Sequence, residues 1–154
     1  MLRVLMDADC LIKVTRAGYK ESAVRAFKVI VPEPVVQEVV AQGSGHASSE
    51  LIATNIAARR IEVRAAAGES GDNALATVYR AGTFDCVGTD DRRLINRLTT
   101  LGIPCVVPGL LLYELAKLGQ VSRQEAERSL QRLQPSVSSA EYQIVRHLLK
   151  GLYP

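Results

Sequence analysis

Short, nearly unbroken apolar runs alternate along this chain with stretches of helical spacing. "LRVLM" (2–6), "VIVP" (29–32), "IEVRAA" (61–66), "FDCVGT" (84–89) and "IPCVV" (103–107) have the length and the β-branched enrichment of buried strands. The intervals read as helices. One starts near Asp9 and fades at Gly18, and "ESAVRAFK" (21–28) forms the next. "PEPVVQEVVAQ" (32–42) follows, with Pro34 in its first turn, where a missing N–H costs nothing. After the small, polar loop "GSGHASS" (43–49), Ser48 or Ser49 caps a helix that runs to Arg59 or Arg60. "GESGDNALATVYRAG" (68–82) is a loop feeding a helix that stops at Gly82, and "DDRRLINRLTTLG" (90–102) is a helix closed by Gly102.

This alternation predicts an α/β fold: a three-layer α/β/α sandwich around a mostly parallel five-stranded sheet. After Pro108 the pattern is helical only. "GLLLYELAKLG" ends at Gly119, and "SRQE" (122–125) and "SSAE" (138–141) each place glutamate three residues after serine, as a capping box does. Leu118, Val121, Ala126, Leu130 and Leu133 are available to pack these last helices. The expected organisation is one domain over 1–154, with a core of about 1–108 and a helical extension of about 109–154.

Composition removes several classes. The chain has 154 residues, 47% hydrophobic and 23% charged, an ordinary globular balance. No apolar run approaches the roughly 20 residues that span a bilayer, and no secretory leader is visible, so a cytoplasmic protein without a membrane role is expected. The three cysteines have no C-x-x-C spacing and sit in apolar segments, which predicts reduced, packed thiols. Two distant histidines, His46 and His147, supply neither a zinc set nor a serine triad. Net charge is only +3, but fourteen of the nineteen basic residues are arginine, clustered at Arg59, Arg60 and Arg64 and at Arg92, Arg93 and Arg97. The guanidinium fork suits phosphate oxygens.

The acids are more informative. Parallel α/β sheets bind ligands beyond the carboxyl ends of their strands. Asp7 and Asp9 follow the first strand, and Asp90 and Asp91 follow the fourth. Glu38 and Asp72 lie in helices that begin at the same sheet edge, with Glu69 three residues before Asp72. Taken singly, Asp9 and Asp90 are ordinary helix caps, Asp72 a first-turn acid and Glu38 an exposed helix residue. Together, gathered acids would repel and protonate unless a cation compensated them. Oxygen donors alone suit a hard divalent ion, Mg2+ or Mn2+. Such a pair of ions activates water and steadies the leaving oxygen of a phosphodiester, so hydrolysis of that bond is the leading chemistry.

Four segments resemble the motifs of the PIN domain family of metal-dependent ribonucleases, which includes the VapC-type toxins. They are "LMDADCLI", "VPEPVVQEVV", "GESGDNALATVYRAG" and "VGTDDRRL". The resemblance covers roughly residues 1–108. It implies that Asp7, Glu38, Asp72 and Asp91 are catalytic and hold the metals, with Asp9 and Asp90 as additional ligands. Asp9 departs from the family's usual asparagine, serine or threonine. It further implies that Thr89 orients a carboxylate or phosphate and that Arg92 and Arg93 meet an RNA backbone. An RNA substrate follows, with an antitoxin protein and a second copy of the chain as candidate partners. The apolar stripes of "LLLYELAKL" and "YQIVRHLL" would form core or, if exposed, such an interface.

Two other classes fit the sequence less well. A non-catalytic nucleic-acid-binding or protein-interaction module would have no reason to keep four acidic loci. A receiver domain also wants a lysine after its fifth strand, where this chain reads "CVVPG".

Overall fold

The computed structural model describes residues 1–43, 52, 53, 55, 56, 60–66 and 71–154, with backbone alone at 40–43, 71 and 72. The loop from 44 to 49, the helix start at Ser48 or Ser49, and Glu69 lie outside the described residues. Five strands form the sheet: β1 (Arg3–Met6), β2 (Lys28–Pro32), β3 (Ile61–Arg64), β4 (Cys86–Gly88) and β5 (Cys105–Val106). Their order is β3-β2-β1-β4-β5, and every pairing is parallel. The fold is therefore the expected α/β sandwich, and among the described residues every strand of its sheet is parallel.

Helices α1 (Ala8–Arg16) and α2 (Lys20–Ala26) connect β1 to β2, and α3 (Glu33–Gly43) leaves β2. α4 (Gly71–Ala81) joins β3 to β4, and α5 (Arg92–Thr100) joins β4 to β5. The chain steps outward from β1 to β3 and then jumps back across β1 to β4. Right-handed crossovers in opposite directions put helices on both faces. The central strands are buried on both sides, so they read as continuous apolar runs: Val4, Leu5, Met6, Val29, Ile30, Val31 and Val87 are all buried. β3 is an edge strand, and its outer positions are charged. Glu62 there pairs with Arg64 at 2.6 Å and with Lys28 at 3.3 Å.

Helix ends follow local chemistry. Gly18, Gly102 and Gly119 each have positive φ one residue past a helix C-cap, the conformation that only glycine adopts freely. Gly82 is different. α4 stops before it without a left-handed residue, and a Cβ there would lie 2.6 Å from the Phe84 ring. Glycine is needed at 82 for close packing rather than for its backbone angle.

The segment after 108 packs onto the core. α6 (Pro108–Lys117) buries Leu111, Leu112 and Leu115, and contacts α2 and α1. Tyr19, on the loop before α2, donates its hydroxyl to the Pro108 carbonyl at 2.8 Å. α7 (Arg123–Leu133) starts in the complete capping box expected at Ser122 and Glu125, and packs on α1 and α6. Val121, Ala126, Leu130 and Leu133 are buried, but Leu118 is 52% exposed and takes no part in the core. A 3₁₀ turn (Gln134–Ser136) leads to α8 (Ser139–Leu152). Its stripe is divided: Val145 and Leu149 are buried, Ile144 is 55% exposed and His147 is exposed.

The second capping box forms only by half. Ser138 accepts the Glu141 N–H at 3.0 Å, but the Glu141 carboxylate does not return to it. That carboxylate is buried and accepts the Gly109 N–H at 3.0 Å instead. A Cβ on Gly109 would lie 2.7 Å from Val145 Cγ2 and 3.2 Å from Glu141 Oε2, so α6 and α8 meet too closely for any side chain there.

Candidate active site at the carboxyl edge of the sheet

The strand order reverses between β1 and β4, where a parallel sheet opens a crevice at its carboxyl edge. Met6 pairs with Gly88, and the Asp7 N–H donates to the Gly88 carbonyl at 3.0 Å. Asp7 and Thr89 therefore leave adjacent strands side by side. Gly88 between them is tightly packed, since a Cβ there would press on Cys10 Sγ and Met6 Cγ at 3.2 Å each.

Asp7 is the N-cap of α1: its Oδ1 accepts the Cys10 N–H at 2.7 Å. The cap expected at Asp9 is thus two residues earlier, and Asp9 lies exposed in the first turn. Asp7 is only 7% exposed. Burial pushes its carboxyl up to about 7, against the hydrogen bonds from the Thr89 side chain and the Cys10 N–H, while the charges of Asp9 and Asp90 raise it further. Thr89 is fully buried and also accepts the Asp91 N–H through Oγ1 at 3.2 Å, so one hydroxyl ties the end of β1 to the end of β4.

The two acids after Thr89 part company. Asp91 is exposed and caps α5, its Oδ1 accepting from Arg93 N at 2.9 Å and Leu94 N at 3.2 Å. Asp90 is half-buried and lies 2.7 Å from Lys13 Nζ, which also lies 3.3 Å from Asp9 Oδ2. Burial pulls the Lys13 amine down, but the hydrogen bond and charge of Asp90, helped by Asp9, outweigh it and hold the amine above its ordinary value. Glu141 feels the same field. Burial raises its carboxyl, the Gly109 N–H lowers it, Asp90 raises it and Lys13 lowers it.

Lys13 and Glu141 were not singled out from the sequence. Lys13 sits four residues after Asp9 on α1, a spacing that gives an ion pair and could have marked it. Glu141 carried no such signal, because its capping-box spacing pointed to a local role.

Glu38 is half-buried on α3, which packs against both α1 and α4. Asp72 is in the first turn of α4, with its side chain outside the described set. Arg92 and Arg93 are exposed at the start of α5. Among the described residues, no three carboxylate, imidazole or thiol groups stand together as a metal ligand set. The described part brings Asp7, Asp9 and Asp90 to one edge, with Lys13 as the cation between Asp9 and Asp90. The donor chemistry nevertheless fits a hard divalent ion. Every donor is an oxygen, and burial, with the charges of Asp9 and Asp90, holds the Asp7 carboxyl near 7, where a bound cation would relieve it.

The Thr89 hydroxyl can be tested directly. Thr89→Val removes the donor to Asp7 and the acceptor for Asp91 N–H, so the Asp7 carboxyl should titrate above about 7. Stability should fall by about 1–3 kcal/mol. Carboxyl NMR titration and denaturant unfolding measure the two. A lower Asp7 pKa in the variant would contradict the assigned hydrogen bond.

No helix among the described residues is long and apolar enough to cross a membrane. A search of curated proteins finds no match. Comparison with known families matches residues 5–108 to a PIN-like domain. That span holds every strand of the sheet from Leu5 onward together with Asp7, Glu38, Asp72, Thr89, Asp90 and Asp91. On this match and this topology, the chain belongs to the PIN-like domain family.

Proposed function

We propose that the protein is a Mg2+- or Mn2+-dependent endoribonuclease, with Asp7, Glu38, Asp72 and Asp91 as its catalytic carboxylates. Its domain family is of nuclease type in general and typically uses divalent metals. The observation that carries the proposal is Asp7: a buried carboxyl, held near 7, at the point where the strand order of a parallel sheet reverses. An acid so placed is costly to the fold unless a cation joins it.

In this reading Asp7, Glu38, Asp72 and Asp91 hold the ion, with Asp9 and Asp90 at the margin. A bound divalent ion supplies water activation and neutralises charge developing on the phosphodiester. The chain's own groups do the rest. Thr89 fixes the Asp7 carboxylate against β4. Asp91 remains anchored through Oδ1 to the first turn of α5. Arg92 and Arg93 lie exposed beside it and bind the backbone phosphates of RNA. The whole chain, helical extension included, acts as one domain in the cytoplasm. A role as a toxin with an antitoxin partner, in the manner of VapC-type proteins, is the biological form this activity takes in the proposal.

The test uses an end-labelled RNA and its DNA counterpart. Cleavage of RNA should require Mn2+ or Mg2+, stop in chelator, return on adding metal, and be lost in Asp72→Asn. Cleavage that persists in chelator would overturn the metal mechanism, and preferential cleavage of DNA would overturn the substrate.

A further inference from the structure

We propose that the groove between α7 and α8 is a binding track for single-stranded RNA, separate from the carboxylates at the sheet edge. The proposal rests on the ribonuclease reading for choosing RNA among polyanions, but not on catalysis. The groove lies wholly after residue 108, outside the segment that matches the family. It encloses about 440 Å³, within the range of ligand-binding clefts. Leu130 and Leu149 are buried beneath it, and three cations, Arg123, Arg146 and Lys150, line it against one acid, Glu127.

The spacing suits an extended polyanion. Tyr142, Arg146 and Lys150 are each four residues apart on α8, one per turn and about 6 Å apart along the axis. Arg123 pairs with Glu127 at 3.0 Å and also stands 6.0 Å from the centre of the Tyr153 ring. Arg146 and Lys150, exposed and without an ion pair among the described residues, are therefore the cations that the groove presents for phosphates. Tyr142 and Tyr153, both half-buried, bring two of the chain's five tyrosines and two of its seven aromatic rings to this one groove. Rings beside cations are what bases and phosphates together require, because every base offers a π-face. An acidic peptide would use the cations and leave the rings without a purpose.

The experiment measures binding of a fluorescein-labelled oligouridylate to the full chain in chelator, so that no cleavage intervenes. Arg146→Ala/Lys150→Ala should weaken binding about ten-fold and reduce the slope of log K against log salt by about 1.4, the value for two lost phosphate contacts. Tyr153→Ala should weaken it by about ten-fold while leaving that slope unchanged, as loss of one stacked base does. Arg25→Ala, exposed on α2, serves as the surface control and should change neither. Unchanged affinity in both groove variants would overturn the proposal, as would an oligoglutamate peptide that binds the groove more tightly than the RNA. Because no turnover is read, a failure of the nuclease reading would leave these results interpretable. Loss of affinity in the groove variants would still establish the track.

Discussion

Asp7→Asn is expected to reduce RNA cleavage by at least about a hundred-fold and, at the same time, to stabilise the metal-free protein at pH 8. The two effects have one cause. An Asp7 carboxyl at its ordinary value of 3.8 loses its proton in the unfolded chain near pH 4, whereas in the folded chain it holds the proton to about 7. Between those values the folded state binds the extra proton, so stability from this group is greatest at low pH, falls as pH rises from about 4 to about 7, and is flat above. Three pKa units correspond to a cost on the order of 2–4 kcal/mol at pH 8. Asparagine keeps an oxygen to cap Cys10 N–H and carries no charge, so it removes that cost. Denaturant unfolding in chelator at pH 5 and pH 8 should show the wild-type protein losing stability between them and Asp7→Asn losing little. A variant less stable than wild type at pH 8 would mean that the buried carboxyl does not burden the fold.

Removing Lys13 should act in the opposite sense on the fold and sharpen the response to metal. Lys13 Nζ lies 2.7 Å from Asp90 and 3.3 Å from Asp9, and in the metal-free protein it is their counter-charge. Lys13→Met would leave Asp90 half-buried beside Asp7 and Glu141 with no cation, at a cost on the order of 1–3 kcal/mol, less than for a fully buried pair because both partners keep some solvent. Mn2+ should repair more of that loss than it adds to the wild-type protein. Its affinity should rise by at least about ten-fold, since an approaching divalent ion no longer meets a fixed ammonium a few ångströms away. Thermal unfolding with and without Mn2+, alongside calorimetric titration, reads both quantities. Equal Mn2+ affinity in the two proteins would show that Lys13 is a structural cation without influence on the ion.

The strands, the sheet class and most helix ends were legible because each depends on short-range chemistry. A strand buried on both faces leaves no polar alternation, and "LRVLM" and "VIVP" display this directly. Gly102 and Gly119 mark helix ends because a left-handed residue is needed there. The site was legible in part. The strand ends that bear Asp7 and Thr89 could be placed from their motifs, but the division of labour between Asp90 and Asp91 could not. It depends on which carboxylate the first turn of α5 captures and which one Lys13 draws inward. The same limit explains Glu141. Its sequence spacing predicts a bond back to Ser138, but the N–H of Gly109, thirty-two residues away, offers a buried partner that no local pattern reveals.

The packing of α6 on α1 and α2 bears on where the protein can be divided. Resemblance to the family ends at Pro108, and a fragment cut there would look complete by its motifs. The cut would uncover Leu111, Leu112 and Leu115 in any piece that retained α6, or strip their cover from α2 in one that did not. The border of likeness therefore runs through a packed face, with α6 on one side of it and α1 and α2 on the other.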